Sequence, residues 1–152
     1  MNSRFHSDVF LKYRYLAKGA NNVSAVVISN SINVLEGHAL INLTTFRKDG
    51  TAVPTPVMFA RCDGKMYVVT GKTTGKLKRI IRDSRITFAP CDLRGNVLGE
   101  TLSGSARIMS PQEWEGVKTR VQWRTPSFVR FIFNRIRDLR AGGNVYLEIT
   151  LA

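Results

Sequence analysis

Two Asp-Gly pairs, Asp49-Gly50 and Asp63-Gly64, constrain this chain more than any other feature. Asp-Gly accepts the positive φ of a tight hairpin turn. Around the two pairs stand HALINLTTF (38–46), TAVPTPVMFAR (51–61) and KMYVVTG (65–71), runs rich in Thr and bulky apolar residues. Strand-like runs joined by turns this short predict an antiparallel meander of three strands. Pro54 and Pro56 fall inside the second run. A proline donates no ladder hydrogen bond, so this strand cannot be paired fully along both sides. It is an edge, or it bends where it faces a ligand.

The stretch VVTGKTTGKLKRIIRDSR (68–85) follows, with six Lys and Arg against the single acid Asp83. Its GKT is not a nucleotide P-loop, which needs a Gly five residues before the Gly-Lys pair. Met66 stands there for Gly71-Lys72, and Thr70 for Gly75-Lys76, which Leu77 follows. The pattern is a strand, a turn of small residues and a basic helix over about 74–82. A helix N-terminus offers unpaired N–H groups and partial positive charge, which favour an anion. Thr73 or Thr74 can cap that helix or bond a phosphate oxygen, and Lys76 and Arg79 share one face. An ordinary solvated basic face fits the same residues.

Downstream, RITFAPCDL (85–93) reads as a fourth strand and VLGETLSGSARIMS (97–110) as a long fifth, relaxed by Gly99 and Gly104. Ser110-Pro111 with Glu113 is a helix start with a capping-box carboxylate, running to about Trp123. Thr125-Pro126 restarts a second helix, apolar on one face and arginine-rich on the other, and VYLEITLA (145–152) alternates as a last strand. Upstream, residues 6–17 suit a short amphipathic helix, and 23–35 suit a helix or a strand, a helix ending near Gly37 being preferred. The class expected is mainly β with peripheral helices, six or so antiparallel strands closing a small barrel. Residues 1–37 form an N-terminal helical extension and 38–152 the barrel, a single domain overall.

The net charge of +12 invites an anionic partner. Its second block spans 118–140, with seven Lys and Arg against Asp138. That block suits a helix packed on the barrel, or one resting weakly on an anionic membrane through 127–140. No helix-turn-helix, zinc signature or aromatic stacking pattern supports a nucleic-acid partner. Cys62 and Cys91 form no CxxC, and His6 and His38 complete no metal set, so no metal is expected. With no apolar run of 18 residues and no signal peptide, a cytoplasmic protein is expected. No nucleophile triad or carboxylate dyad stands out. Tyr67, Asp92 and Arg47 can each deliver or orient a proton, and the sequence does not choose among them.

Taken in order, LTTFRKDGTAVPTPVMF, MYVVTGKTTGKLKRI, RITFAPCD, GETLSGSARI and YLEITLA resemble the FMN-binding split-barrel superfamily, the pyridoxamine 5'-phosphate oxidase-like proteins. Within it the chain looks most like the branch of coenzyme F420-dependent enzymes. The resemblance covers roughly 38–152. It implies a split β-barrel homodimer with the flavin or deazaflavin bound where the subunits meet. It implies that Thr55, Pro56 and Val57 lie along the ring. It implies a phosphate site at Thr70, Thr74, Gly75, Lys76 and Arg79, with Lys76 the leading partner. The activity implied is hydride transfer between F420 and a small organic substrate. FMN in the same site, or a flavin or haem carrier without turnover, is the alternative. F420 carries a phosphate and a carboxylate-rich tail, so the +12 charge suits it better than FMN. The chain departs from the family at Met58, where an aromatic, often Trp, is common, and in its first 37 residues, which match nothing in it.

Overall fold

The computed structural model of the chain describes residues 33–121 and 142–152, together with Ser127 and Phe131, which are helical. The rest of the expected 127–140 helix, the end of the helix before it, and the expected extension up to residue 32 lie outside the described residues.

Six strands form a closed antiparallel barrel. They are β1 (Leu40–Phe46), β2 (Ala52–Cys62), β3 (Lys65–Gly71), β4 (Arg85–Pro90), β5 (Leu102–Ile108) and β6 (Asn144–Leu151). The order around the barrel is β1-β2-β3-β6-β5-β4. Helix α1 (Gly75–Arg82) follows β3, and α2 (Pro111–Val117) follows β5. The Asp-Gly turns behave as read. Asp63 and Gly64 both take positive φ, 52° and 74°, and β1, β2 and β3 form the expected meander. On the N-terminal side, Glu36 N–H bonds Asn33 C=O and Gly37 takes φ 80°, a helical turn ended by a glycine.

Alternation along β1 sets the core. Ile41, Leu43 and Thr45 are buried, and the register places Val57, Thr55 and Val53 opposite them on the same inner face. Phe88, Val68, Leu147 and Ile149 complete the interior, with Leu35 and with Leu77 and Ile80 from α1. Each large side chain so enclosed is worth about 1.5–3 kcal/mol of hydrophobic stabilisation.

The long fifth strand expected over 97–110 is shorter, Leu102–Ile108. Val97 makes only an isolated bridge with Cys91, and a Cβ on Gly99 would stand 2.8 Å from Pro90 Cγ. That close crossing leaves 97–101 outside the ladder. At Gly104 the glycine is needed for another reason: an added Cβ would run into the Thr150 carbonyl on β6.

A second cluster lies on the outside of the barrel. Helix α2 starts with the predicted capping box: Ser110 Oγ accepts from Glu113 N–H, and the Glu113 carboxylate accepts from Ser110 N–H. It lays Trp114 on Tyr146, ring centroids 3.7 Å apart, over Tyr67, Ala60 and Met109. Beneath it Glu148, 6% exposed, accepts from Lys65 Nζ (3.0 Å) and Arg107 Nε (2.9 Å), and Arg107 also donates to Glu113 (2.8 Å).

Candidate functional site

β2 pairs with β1 along Ala52–Met58, but with β3 only over Phe59–Cys62. The ladder therefore stops at Phe59 and Val68. Seven residues of β2 keep an edge with no strand partner among the described residues, and both prolines fall in that segment. Extended one for one, the lost register would set Val57 opposite Thr70 and Pro56 opposite Gly71. The two groups of residues expected at the site thus flank one opening. Within it the side chains diverge. Val57 is 3% exposed in the core and Thr55 shares that inner face, and their backbone groups face β1, which leaves the carbonyls of Pro54 and Pro56 on the open edge. Pro56 points outward beside Asn42. Met58, also outward, packs against Leu40 and Cys91.

On the far side, the chain leaves β3 and turns into α1. Thr74 N–H and Thr74 Oγ1 both donate to Gly71 C=O, at 3.2 and 2.9 Å. Thr70 Oγ1 lies 3.1 Å from Thr74 Oγ1. Since the Thr74 proton is spent on Gly71, Thr70 is the donor in that pair. In this arrangement both threonines brace the turn and hold no spare proton for an anion. Nor does Thr74 cap the helix it precedes, and the first turn of α1 holds no acid. The helix begins with its dipole and N–H groups uncompensated by a side-chain cap.

Arg79 comes back to that end of the helix. A Cβ built on Gly75 would stand 2.9 Å from an Arg79 guanidinium nitrogen, so the guanidinium lies against the first residue of α1. Long helical side chains lean toward the N-terminus, which brings residue 79 over residue 75. Its Nε donates to Thr45 Oγ1 at 2.7 Å. Burial first, and then the like charges of Arg47 and Arg82, push the Arg79 guanidinium below its usual value, but it stays cationic. The carboxylate closest in sequence, Asp83, is held by Arg85 (2.8 and 3.0 Å), which with backbone N–H groups lowers it to about 2. Lys76 is 7% exposed, the third buried residue of α1 with Leu77 and Ile80. A cation set at the positive end of a helix is unfavourable by roughly 0.3–1 kcal/mol. An anion between the two would reverse that sign.

Gly75 and the Arg79 guanidinium thus meet at the start of α1, Lys76 is the next residue of the same helix, and Thr70 and Thr74 brace the turn before it. Nothing in the sequence marks Asn42 as a site residue. Its Nδ2 donates to Gly95 C=O at 2.9 Å, while its buried Oδ1 has no partner among the described residues. Flipping the amide would set oxygen against oxygen, so Oδ1 is the atom turned away from Gly95. Asn42 adjoins Pro56, whose Cγ would stand 3.1 Å from a Cβ on Gly95. Of the three candidate proton carriers, Tyr67 is enclosed beneath α2 and its phenol is pushed up by burial and then by Glu148. Asp92 is committed to Asn96 and Arg94 within its own loop. Arg47 is exposed at the barrel rim. Among the described residues no His, Cys, Asp and Glu cluster could hold a metal, and no helix is long and apolar enough to cross a membrane.

The fold has known counterparts. A FAD-binding protein from Mesorhizobium loti superposes with a TM-score of 0.56 at 14% identity, covering 85% of this chain and 88% of that one. A Clostridium acetobutylicum protein related to general stress protein 26 of B. subtilis, of the pyridoxinephosphate oxidase family, gives 0.56 at 14% identity, covering 85% and 86%. A NimC/NimA family protein of the same organism gives 0.53 at 15%, covering 81% of each chain. No protein-family model and no curated protein sequence matches the chain. These likenesses show the fold: the chain shares its six-stranded antiparallel barrel with the proteins named.

Proposed function

We propose that this chain is a flavin- or deazaflavin-dependent oxidoreductase that seats the cofactor's phosphate at the start of α1 and its ring along the open edge of β2. The observation that carries the reading is the Arg79 guanidinium, held against the uncapped first residue of α1 with no carboxylate assigned to it. The residues fit such a group. Gly75 leaves the space, Lys76 and Arg79 bring the charge, and the Pro54 and Pro56 carbonyls on the open edge of β2 offer acceptors along a ring edge. The names carried by the structural neighbours, one FAD-binding and one of a pyridoxinephosphate oxidase family, support a flavin-type ligand. The net charge of +12 favours the more anionic F420 over FMN. The cofactor, when bound, supplies hydride transfer to a small organic substrate; the protein binds, orients and excludes water. On this reading it works as a cytoplasmic homodimer, with the cofactor where the subunits meet.

Fluorescence titration of the purified protein with F420 and separately with FMN tests the reading. Lys76→Ala should weaken binding by about 1.5–3 kcal/mol, the size of a charge-assisted hydrogen bond, or roughly 10- to 150-fold. Binding of neither compound by the parent protein would refute the assignment. Equal affinity of parent and variant would remove Lys76 from the phosphate site.

A further inference from the structure

The basic charge at this end of the barrel does not stop at the start of α1. The last three residues on the β1 side gather guanidinium groups one after another. Thr45 Oγ1 accepts from Arg79, the Phe46 carbonyl accepts from Arg82 at 2.6 Å, and the next residue is Arg47. Arg47 is held by its own hairpin: its N–H donates to Thr51 C=O and its C=O accepts from Gly50 N–H. Three successive positions on a strand span about 7 Å. None of the three arginines takes part in an ion pair with a described residue. The acids nearby are occupied: Asp83 with Arg85, and Asp49 with the Thr51 N–H at 2.9 Å. Elsewhere the described arginines at 85, 107 and 120 each hold a carboxylate.

Two of these contacts also anchor α1 to β1, and that anchoring would be served by any donor of suitable length. It does not call for a third guanidinium beside them, nor for the nearby acids to be taken up by other partners. Three like charges gathered with no carboxylate in ion-pair contact are the arrangement expected around a multiply charged anion.

We propose that Arg47 and Arg82 form a second anion subsite on the barrel rim, continuous through Arg79 with the start of α1, for a ligand whose first phosphate is followed by a further phosphate or carboxylate. The inference rests on the reading of the α1 site as a phosphate site. It assigns the rim to the part of the ligand beyond that phosphate.

Inorganic anions test the subsite without the ring. Calorimetric titration compares orthophosphate with tripolyphosphate on the parent protein, on Arg47→Gln/Arg82→Gln, and on Arg94→Gln/Lys118→Gln as a control with the same loss of charge elsewhere. The parent should bind tripolyphosphate at least tenfold more tightly than orthophosphate. The rim variant should close most of that gap with orthophosphate affinity kept within about twofold, and the control should keep the gap. No gap in the parent, an unchanged gap in the rim variant, or an equal loss in the control would overturn the proposal. Thermal melts of all three proteins separate loss of the anchor from loss of the anion. FMN binding, measured alongside, reads the α1 assignment on its own: a rim variant that still binds FMN but loses the tripolyphosphate preference is the expected result.

Discussion

Gly75→Ala separates a structural from a ligand-binding role for the start of α1. The new Cβ would stand 2.9 Å from the Arg79 guanidinium, a distance no ordinary contact tolerates. The neighbour is the far end of a flexible side chain, so the guanidinium moves and the backbone does not. Moving it breaks the 2.7 Å bond to Thr45 Oγ1. A hydrogen bond from a charged group is worth about 1.5–3 kcal/mol, toward the lower end here because solvent reaches the displaced guanidinium. Against that, alanine in place of glycine in a helix returns about 0.5–1 kcal/mol. The net change in stability is about 1 kcal/mol, a few degrees in Tm. Ligand binding has no such compensation. If the guanidinium is half of the anion site, its displacement should cost about 1.5–3 kcal/mol of affinity, roughly 10- to 150-fold. Circular-dichroism melts and fluorescence titration with F420 and FMN give the two numbers. A variant that binds as tightly as the parent would refute the reasoning. So would one that loses ten degrees or more, because the glycine would then serve the fold.

Two further outcomes follow from the barrel itself. Gly104→Ala should push β5 off the Thr150 carbonyl and cost about 1–3 kcal/mol, read as a fall of several degrees in Tm with no change in the ligand affinity of the folded protein. For Glu148, burial raises the carboxyl, but the hydrogen bonds and charges of Arg107 and Lys65 outweigh it, and the folded value lies below the ordinary 4.5. Its stabilising contribution is therefore present above pH 4.5 and lost as the pH falls through the folded value. Urea unfolding should show Glu148→Gln less stable than the parent at pH 7, with the gap narrowing as the pH falls below the ordinary 4.5; a gap that stays constant would remove Glu148 from the acid response.

Much of this fold is written locally. The Asp-Gly turns, the capping box at Ser110 and Glu113, and the Gly142-Gly143 turn before β6 each act over a few residues. A reader of sequence can weigh such signals directly. Closure of the barrel is different. β6 lies between β3 and β5, and β4 returns to β1, through pairings that no local signal specifies. Burial of Tyr67 and Glu148 was equally hidden. Alternation puts both on the outer face, where exposure is the ordinary expectation, and only the arrival of Trp114 on α2 covers them. At the site, spacing put Lys76 and Arg79 on one face of a helix. It did not show that Arg79 folds back to Gly75, or that Thr70 and Thr74 spend their protons on the turn. Those follow from side-chain direction and donor counting, which need coordinates.

The opening beside β2 has causes on both of its sides. Pro54 and Pro56 remove two of the donors that a second ladder would use, so this edge of β2 gains little from a partner strand. Across from it, β3 is drawn the other way. Its pairing with β6 runs to Gly71 opposite Asn144, and Lys72 N–H extends it by one bond to Gly143 C=O. The Gly71 carbonyl is then taken by Thr74, through backbone and side chain together. That carbonyl lies on the edge of β3 that faces β2, so its own turn removes an acceptor a longer β2–β3 ladder would use. One strand lacks donors and the other has its groups engaged elsewhere, so the split is built into the pairing of a folded barrel and does not depend on a ligand to hold it open. A ligand entering there meets a strand edge already free of partners and a helix start already lacking a cap. Little of the binding energy need go to opening the site.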